Sequence, residues 1–560
     1  MLLSNFNLLA SAPGGVARLR ELILTLAVQG KLVPQDPNDE PPSLLLQKIR
    51  AEKDRLNLDG KIKRDKLLGA IAQEEKPFAV PVGWEWVRFG EILDFQGGGQ
   101  PPKSNFSDVP LHDYVQLIQI RDLGKKPQPV YIPRKLASKF CTSSDVMVGR
   151  YGASVGKVFW GSEGAYNVAL VKMVDAYQAF EIKFLFQLLV SPIGQSLFAG
   201  ISRSAQDGFN KNDIERKLIP LPPFAEQSRI VTRVEELMRV CDALEVKGKL
   251  EAAQHAQLVT TLLDTLTGSD TPETLAENWQ RIATHFDLLL DRPQAIDAFE
   301  QTILQLAVRG LLVLQDPSDE PASALLQKIR AEKDRLILEG KIKRDKPLML
   351  IGEEEKPFEL QQGWEWVRLG SLGASFDYGS SQKSVDDASA VPILRMGNIQ
   401  SGRVVMTNLK YLIDNDGDLP ALFLQKGDLL FNRTNSYDLV GKTGIFEGFS
   451  RAVTFASYLI RIKPMAGLIC PQYINMYMNT IDCRLNEIQP DLTQQTGQAN
   501  YNGSKLKSIR VPFPPLAEQA RIVARVEELR RLCADLRQRL SASQTTQAHL
   551  AEALVESVAE

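Results

Sequence analysis

Two segments of this chain, about 92–217 and 372–507, concentrate cationic and hydrogen-bonding side chains where glycine-rich loops interrupt short apolar runs. In the first, Gly97-Gly98-Gly99 precedes Lys103 and Ser104, and QLIQIRDL carries Arg121. DVMVGRYGASVGKVFW (Asp145–Trp160) then supplies Arg150, Tyr151, Ser154 and Lys157, and ISRSAQDGFN supplies Arg203, Gln206 and Asn210. In the second, Gly379-Ser380-Ser381 precedes Lys383, and PILRMGNI holds Arg395 and Asn398. DLLFNRTNSYDLVGKTGIF (Asp428–Phe446) holds Arg433, Thr434, Asn435, Ser436 and Lys442, and GQANYN holds Gln498 and Asn502. These are the groups that read a DNA duplex. Arg and Lys pair with guanine O6/N7, Asn and Gln with adenine N6/N7, and hydroxyls and lysines hold phosphates. Any one of them is as readily an ordinary solvated loop residue; their concentration in matching order carries the reading. The glycine-rich loops read as flexible backbone able to approach a phosphate.

Chemistry that would break or make covalent bonds lacks its parts. VGKTG (Val440–Gly444) resembles a phosphate-binding loop, but Ser436 stands where G-x-x-x-x-G-K-[ST] needs glycine. In the first segment Val158 follows Lys157, leaving no hydroxyl for magnesium. LPPF (Leu221–Phe224) resembles an amino-methyltransferase motif, yet Leu221, and Phe513 in its counterpart, replace the group that must accept the target amine. The four histidines are isolated, which leaves metal hydrolysis without ligands, and the five cysteines show no CxxC spacing. The chain reads as non-catalytic and as binding no cofactor or metal of its own. The alternative, a DNA-cleaving enzyme built from dispersed carboxylates and lysines, has no recognisable cluster behind it.

The elements around these segments are written twice. LLQKIRAEKDRL at Leu45–Leu56 recurs at Leu325–Leu336 and GWEWVR at Gly83–Arg88 recurs at Gly363–Arg368, both 280 positions on. PPFAEQSRIVTRVEEL at Pro222–Leu237 returns as PPLAEQARIVARVEEL at Pro514–Leu529, 292 positions on, so the second variable segment is longer by 12 residues. The plan is a helical frame (1–91), a variable segment (92–217), a central region holding a spacer helix and the second frame (218–371), a second variable segment (372–507) and a closing helix (508–560). After each AEQ, apolar residues fall at alternating steps of four and three: Ile230, Val234, Leu237, Cys241, Leu244, and Ile522, Val526, Leu529, Cys533, Leu536. That spacing predicts a coiled-coil seam, and two such helices are natural partners for one antiparallel pair. At roughly 1.5 Å per residue such helices act as rigid spacers. Trp84, Trp86, Trp364 and Trp366 read as buried structural aromatics, because they belong to the repeated text. RELILTLAVQGKLV and its copy read as helices stopping at Gly30 and Gly310.

Bulk composition agrees with a soluble multidomain protein: 560 residues, 44% hydrophobic and 24% charged, with a formal net charge of −2. No apolar run approaches the roughly 20 residues that span a bilayer, so no membrane is expected, and scattered cysteines suit a reducing cytoplasm. The basic stretches Lys48–Lys66 and Lys328–Lys346 read first as solvated helix faces.

The doubled P-x-PP-x-AEQ-x-x-I element (Pro220–Ile230, Pro512–Ile522), placed ahead of a coiled-coil helix and around two variable inserts, resembles the specificity subunits of type I restriction-modification enzymes over essentially the whole chain. The resemblance implies an α+β fold: two mixed α/β target recognition domains joined by two long antiparallel coiled-coil helices, with an internal pseudo-two-fold repeat. It further implies double-stranded DNA as ligand, two methyltransferase subunits that supply S-adenosylmethionine chemistry, and two motor-nuclease subunits that use ATP and magnesium. Recruitment to another phage-defence complex is the competing expectation. Because the inserts differ, the expected target is asymmetric.

Overall fold

The computed structural model describes residues 9, 12–59, 70–201, 208–269, 271–413, 417, 419–495 and 497–559. The chain divides into two compact units, Met1–Glu251 with Ser543–Glu560, and Ala252–Ala542.

In the first unit, helix α1 (Gly15–Val28) buries Leu19, Leu22, Ile23 and Leu26 and ends ahead of Gly30, whose φ of +70° is a left-handed stop. A Cβ at Gly30 would lie 2.5 Å from the Pro81 ring, so close packing demands glycine as well. Helix α2 (Pro42–Leu58) follows. Strand β1 (Glu85–Arg88) leads into the insert, and β7 (Leu218–Leu221) leads out antiparallel to it, with Glu85 opposite Leu221 and Arg88 opposite Leu218. Both ends of the insert therefore leave the frame at one place. Between them run β2 (Asp94–Gly97), β3 (Tyr114–Ile118), β4 (Val146–Gly149), β5 (Val158–Trp160) and β6 (Leu170–Val174), then α3 (Ile182–Val190). The main insert sheet has the order β2-β6-β4-β5. Helix α4 (Phe224–Thr267, 44 residues) starts directly after Pro222-Pro223.

The second unit repeats this order with α5 (Pro293–Val308), α6 (Ala322–Leu338), β8 (Glu365–Arg368) and β9 (Gly373–Tyr378). Then come a hairpin of β10 (Ile399–Gln400) and β11 (Arg403–Val404), β12 (Leu429–Asn432), β13 (Thr434–Asn435), β14 (Thr443–Ile445), β15 (Leu459–Pro464), α7 (Pro471–Met478), β16 (Gln498–Asn500), β17 (Arg510–Phe513) and α8 (Leu516–Ala559, 44 residues). β8 and β17 pair as β1 and β7 do. The main sheet is β9-β15-β12-β14-β11-β10, two strands wider than in the first unit.

The AEQ element is a joint. Trp84 Nε1 donates to Glu226 at 3.0 Å and Trp364 Nε1 to Glu518 at 3.0 Å, fixing each frame tryptophan to the start of its long helix. Gln35 and Gln315 donate to the same carboxylates at 2.8 and 2.7 Å. Burial pushes both carboxyls above the ordinary range, and the donated hydrogen bonds pull the other way. The next residue faces the insert: Gln227 Oε1 accepts the N–H of Glu181 at 2.7 Å and Gln519 Oε1 that of Cys470 at 3.0 Å, at the starts of α3 and α7.

The apolar stripes of the long helices also pack against frame helices. Ile230, Val234 and Cys241 are buried in one core with Leu19, Ile23 and Ala27 of α1, and Leu237 and Leu244 pack half-buried against it. Arg20 of α1 donates to Asp242 of α4 at 2.6 Å. Ile522, Val526 and Cys533 share a core with Phe299 and Ile303 of α5, flanked by Leu529 and Leu536, and Arg537 reaches Asp297 at 2.6 Å. Over these positions each seam lies against its own frame helix. A four-three spacing specifies that a helix lies alongside, not which helix. The boundary between the units falls inside α4, whose apolar residues belong to two cores.

Candidate nucleic-acid interface

Arg150 and Arg433 occupy equivalent corners. Each follows a fully buried central strand, β4 or β12, and donates its backbone N–H across to the neighbouring segment: Arg150 to Ala169 O at 2.9 Å, Arg433 to Tyr458 O at 3.0 Å. The Arg150 guanidinium lies over the Tyr151 ring at 5.3 Å and that of Arg433 over the Tyr378 ring at 5.0 Å. Stacking on an aromatic face holds a guanidinium in one plane while leaving its donor edge free for a bidentate acceptor. Arg150 Nε is fixed to Phe209 O at 2.9 Å; neither terminal nitrogen has a hydrogen-bond partner among the described residues. Arg433 Nε is buried without a partner among the described residues, and one terminal nitrogen makes a long 3.4 Å contact to Ser457 O.

Around these arginines the chain exposes Lys157 and Lys442 at the turns after Gly156 and Gly441, whose positive φ values bring the strands round. Ser436 is exposed on the loop after β13, and Arg484 donates to Tyr437 O and Val440 O at 2.7 and 2.8 Å, tying that loop down. Lys103, Ser104, Arg121, Ser381, Lys383 and Gln498 are exposed, and Ser154 is half-buried.

Several residues read from the sequence as base contacts also make hydrogen bonds within the fold. Asn398 is 3% exposed, accepts the Arg395 N–H at 2.9 Å and donates to Val405 O and Thr407 O, so it closes a turn. Asp122 does the same work in the first insert, through the N–H groups of Gln119 and Gln128. Thr434 is buried, with its hydroxyl on Asn500 Oδ1 at 2.7 Å. Asn210 and Asn502 cap short helices, accepting from Asn212 N–H and Lys505 N–H at 3.0 and 2.9 Å. Asn435 accepts the adjacent Ser436 N–H at 2.8 Å, and Arg395 donates to Asn408 O at 2.9 Å. The glycines of the two loops are packing positions: a Cβ at Gly98 would stand 2.1 Å from Asn167 O, and one at Gly379 2.3 Å from Phe455 O. Arg203, Gln206 and 60–66 of the first basic stretch lie outside the described residues.

Sequence reasoning missed the tyrosines of the second insert. Tyr378, Tyr437 and Tyr458 are each 39–47% exposed beside Arg433 or on its loop, and Tyr378 Oη also accepts the Gly503 N–H at 2.8 Å. The available signal was a tyrosine ending a strand directly before Gly379-Ser380-Ser381.

No helix among the described residues is long and apolar enough to cross a membrane. A family model described as the type I restriction modification DNA specificity domain matches residues 81–254 and again 361–543. Two specificity subunits of Escherichia coli type I restriction enzymes, EcoEI and EcoAI, are each 36% identical to the chain over 97% of its length and 93% of theirs. The EcoKI specificity subunit of Escherichia coli strain K12 is 23% identical over 80% of this chain and 82% of its own. Repeated matches that bracket both inserts, together with relatives spanning nearly the full chain, place it: the chain belongs to the DNA specificity family of type I restriction-modification systems.

Proposed function

We propose that the chain reads an asymmetric, split DNA sequence, one half with each insert, and holds the other subunits of a type I complex on its repeated frames. The observation that supports this most is the contrast within the repeat. The frames are copied down to single hydrogen bonds, whereas the corners carrying Arg150 and Arg433 differ in loop length and in aromatic neighbour. Identical frames suit two copies of one partner; different corners suit two different half-sites.

Two methyltransferase subunits would supply S-adenosylmethionine chemistry, and two motor-nuclease subunits, using ATP and magnesium, would complete the restriction form. The chain itself contributes recognition and spacing. Mapping methylated bases genome-wide with and without the gene tests this, in a host carrying the cognate methyltransferase. Loss of one bipartite, non-palindromic motif on deletion is the expected result; an unchanged methylome overturns the reading.

A further inference from the structure

The two inserts differ in charge between matching anchors. At one end, Asp122 accepts the Gln119 N–H as Asn398 accepts that of Arg395, both at 2.9 Å. At the other, Asp145 accepts the Thr142 N–H at 2.8 Å as Asp428 accepts that of Gln425 at 2.9 Å. Between these anchors, 119–141 carries six cations and one carboxylate, a net +5. The equivalent stretch, 395–424, carries three of each and is neutral.

In the second insert the three cations are already engaged. Arg395 donates to Asn408 O at 2.9 Å, Lys410 pairs with Asp386, and Arg403 reaches Glu527 at 3.3 Å. In the first insert Lys125, Lys126, Arg134, Lys135 and Lys139 are all exposed, with no ion pair among the described residues. Asp122, the one carboxylate, is taken up by the N–H groups of Gln119 and Gln128. These cations stand on a built face. The Gln128 bond closes the turn that bears Lys125 and Lys126, and Arg134 and Lys135 follow a strand, Tyr131–Pro133, that pairs with β3. Leu117, Val130, Ile132 and Ala165 form a small core within this lobe. The Arg134 guanidinium lies over the Phe140 ring at 5.8 Å, and that ring is itself 43% exposed.

The lobe adjoins the Arg150 corner. Phe140 pairs with Ala165, and four residues further on Ala169 O accepts the Arg150 N–H. Four residues reach at most about 14 Å. A DNA strand presents a phosphate about every 3.4 Å along the axis, so that reach corresponds to about four phosphates. Lysines hold phosphates as point charges and carry no sequence information in doing so.

We infer that this lobe grips the phosphate backbone of double-stranded DNA beside the half-site of the first insert, without regard to sequence, and that the second insert has no such grip. The inference rests on the proposed function, which makes Arg150 a reading residue.

The test is the salt dependence of duplex binding by the full chain carrying Lys125→Gln, Lys126→Gln, Arg134→Gln and Lys135→Gln together. Each phosphate contact adds about 0.9 to the slope of log affinity against log salt, so the slope should fall by about 2–4. Affinity at low salt should drop about tenfold or more, by the same factor on the motif duplex and on a scrambled one. Lys410→Gln in the second insert should leave the slope unchanged. Uncharged methylphosphonate linkages beside the half-site that Arg150→Ala weakens should cost wild type affinity and leave the fourfold variant unaffected. An unchanged slope, a loss confined to the motif duplex, or loss of a protein subunit with DNA affinity intact would each overturn the assignment and leave the proposed function standing. Wild-type binding that fails to distinguish motif from scrambled DNA would instead sink the proposed function, while the slopes would still decide the inference.

Discussion

The two frames and the two inserts diverge by different rules. In the frames, pairs remote in sequence repeat with nearly unchanged geometry: Arg229 with Asp39 at 2.5 Å and Arg521 with Asp319 at 2.6 Å, Arg88 with Glu75 at 3.1 Å and Arg368 with Glu355 at 3.0 Å. In the inserts only the skeleton repeats: a buried strand, a cation at its end, a glycine with positive φ, a capped short helix. The lesson is that a joint tolerates little change, because each buried polar partner left alone costs about 1–3 kcal/mol. A reading surface is exposed, so its side chains change at small cost to the fold.

The strongest way to break that comparison is to damage one frame. Val234 and Val526 are 2% exposed at matching positions. An unpaired aspartate at either should cost about 3–5 kcal/mol. Hydrogen exchange should then show protection lost in the mutated unit alone, Val234→Asp affecting 12–59 and 85–221, and Val526→Asp affecting 293–338 and 365–513. Uniform loss across both would show that the two cores do not stand independently. The half-buried Leu237 and Leu529 should respond more weakly.

Next in size come the reading corners. Arg433→Ala should remove roughly 1–3 kcal/mol of discrimination at one half-site, and Arg150→Ala the same at the other. Lysine should not restore either, since it lacks the planar fork that stacks on tyrosine. Binding measured on duplexes with one half-site scrambled at a time checks the assignment; equal losses on both half-sites would contradict it. Exchanging the loop residues 435–438 should alter one half-site without affecting assembly, provided Thr434 is kept for its bond to Asn500.

Much of this was legible in sequence, for definite reasons. Helices, their stops and the burial of Trp84, Trp86 and Trp364, with Trp366 half-buried, follow from local periodicity and from repetition, and both survive folding. That a frame helix also lies along each apolar stripe did not follow, because the stripe alone does not say that α1 and α5 carry apolar faces as good as those of α4 and α8. Nor did the roles of Asn210, Asn398 and Asn502. An amide that closes a turn and an amide that reads adenine are the same residue in a string of letters, and only the position of the neighbouring N–H separates them. Tyr378 escaped notice because its use depends on Arg433, 55 positions away in sequence.

The smallest effect tests the joint itself. Burial raises the Glu226 carboxyl above its ordinary value, so the folded chain holds that proton more tightly than the unfolded chain does. The contribution of this site to stability therefore falls as pH rises from the ordinary glutamate range through the raised value. Glu226→Gln removes the titration, and so the melting temperature of wild type minus that of the variant should decline across that window. Glu518→Gln should behave alike, because the second frame repeats the tryptophan and glutamine donors. A difference that stays flat with pH at one position and slopes at the other would show that the two joints, alike in the donors to this carboxylate, are not alike in their electrostatics.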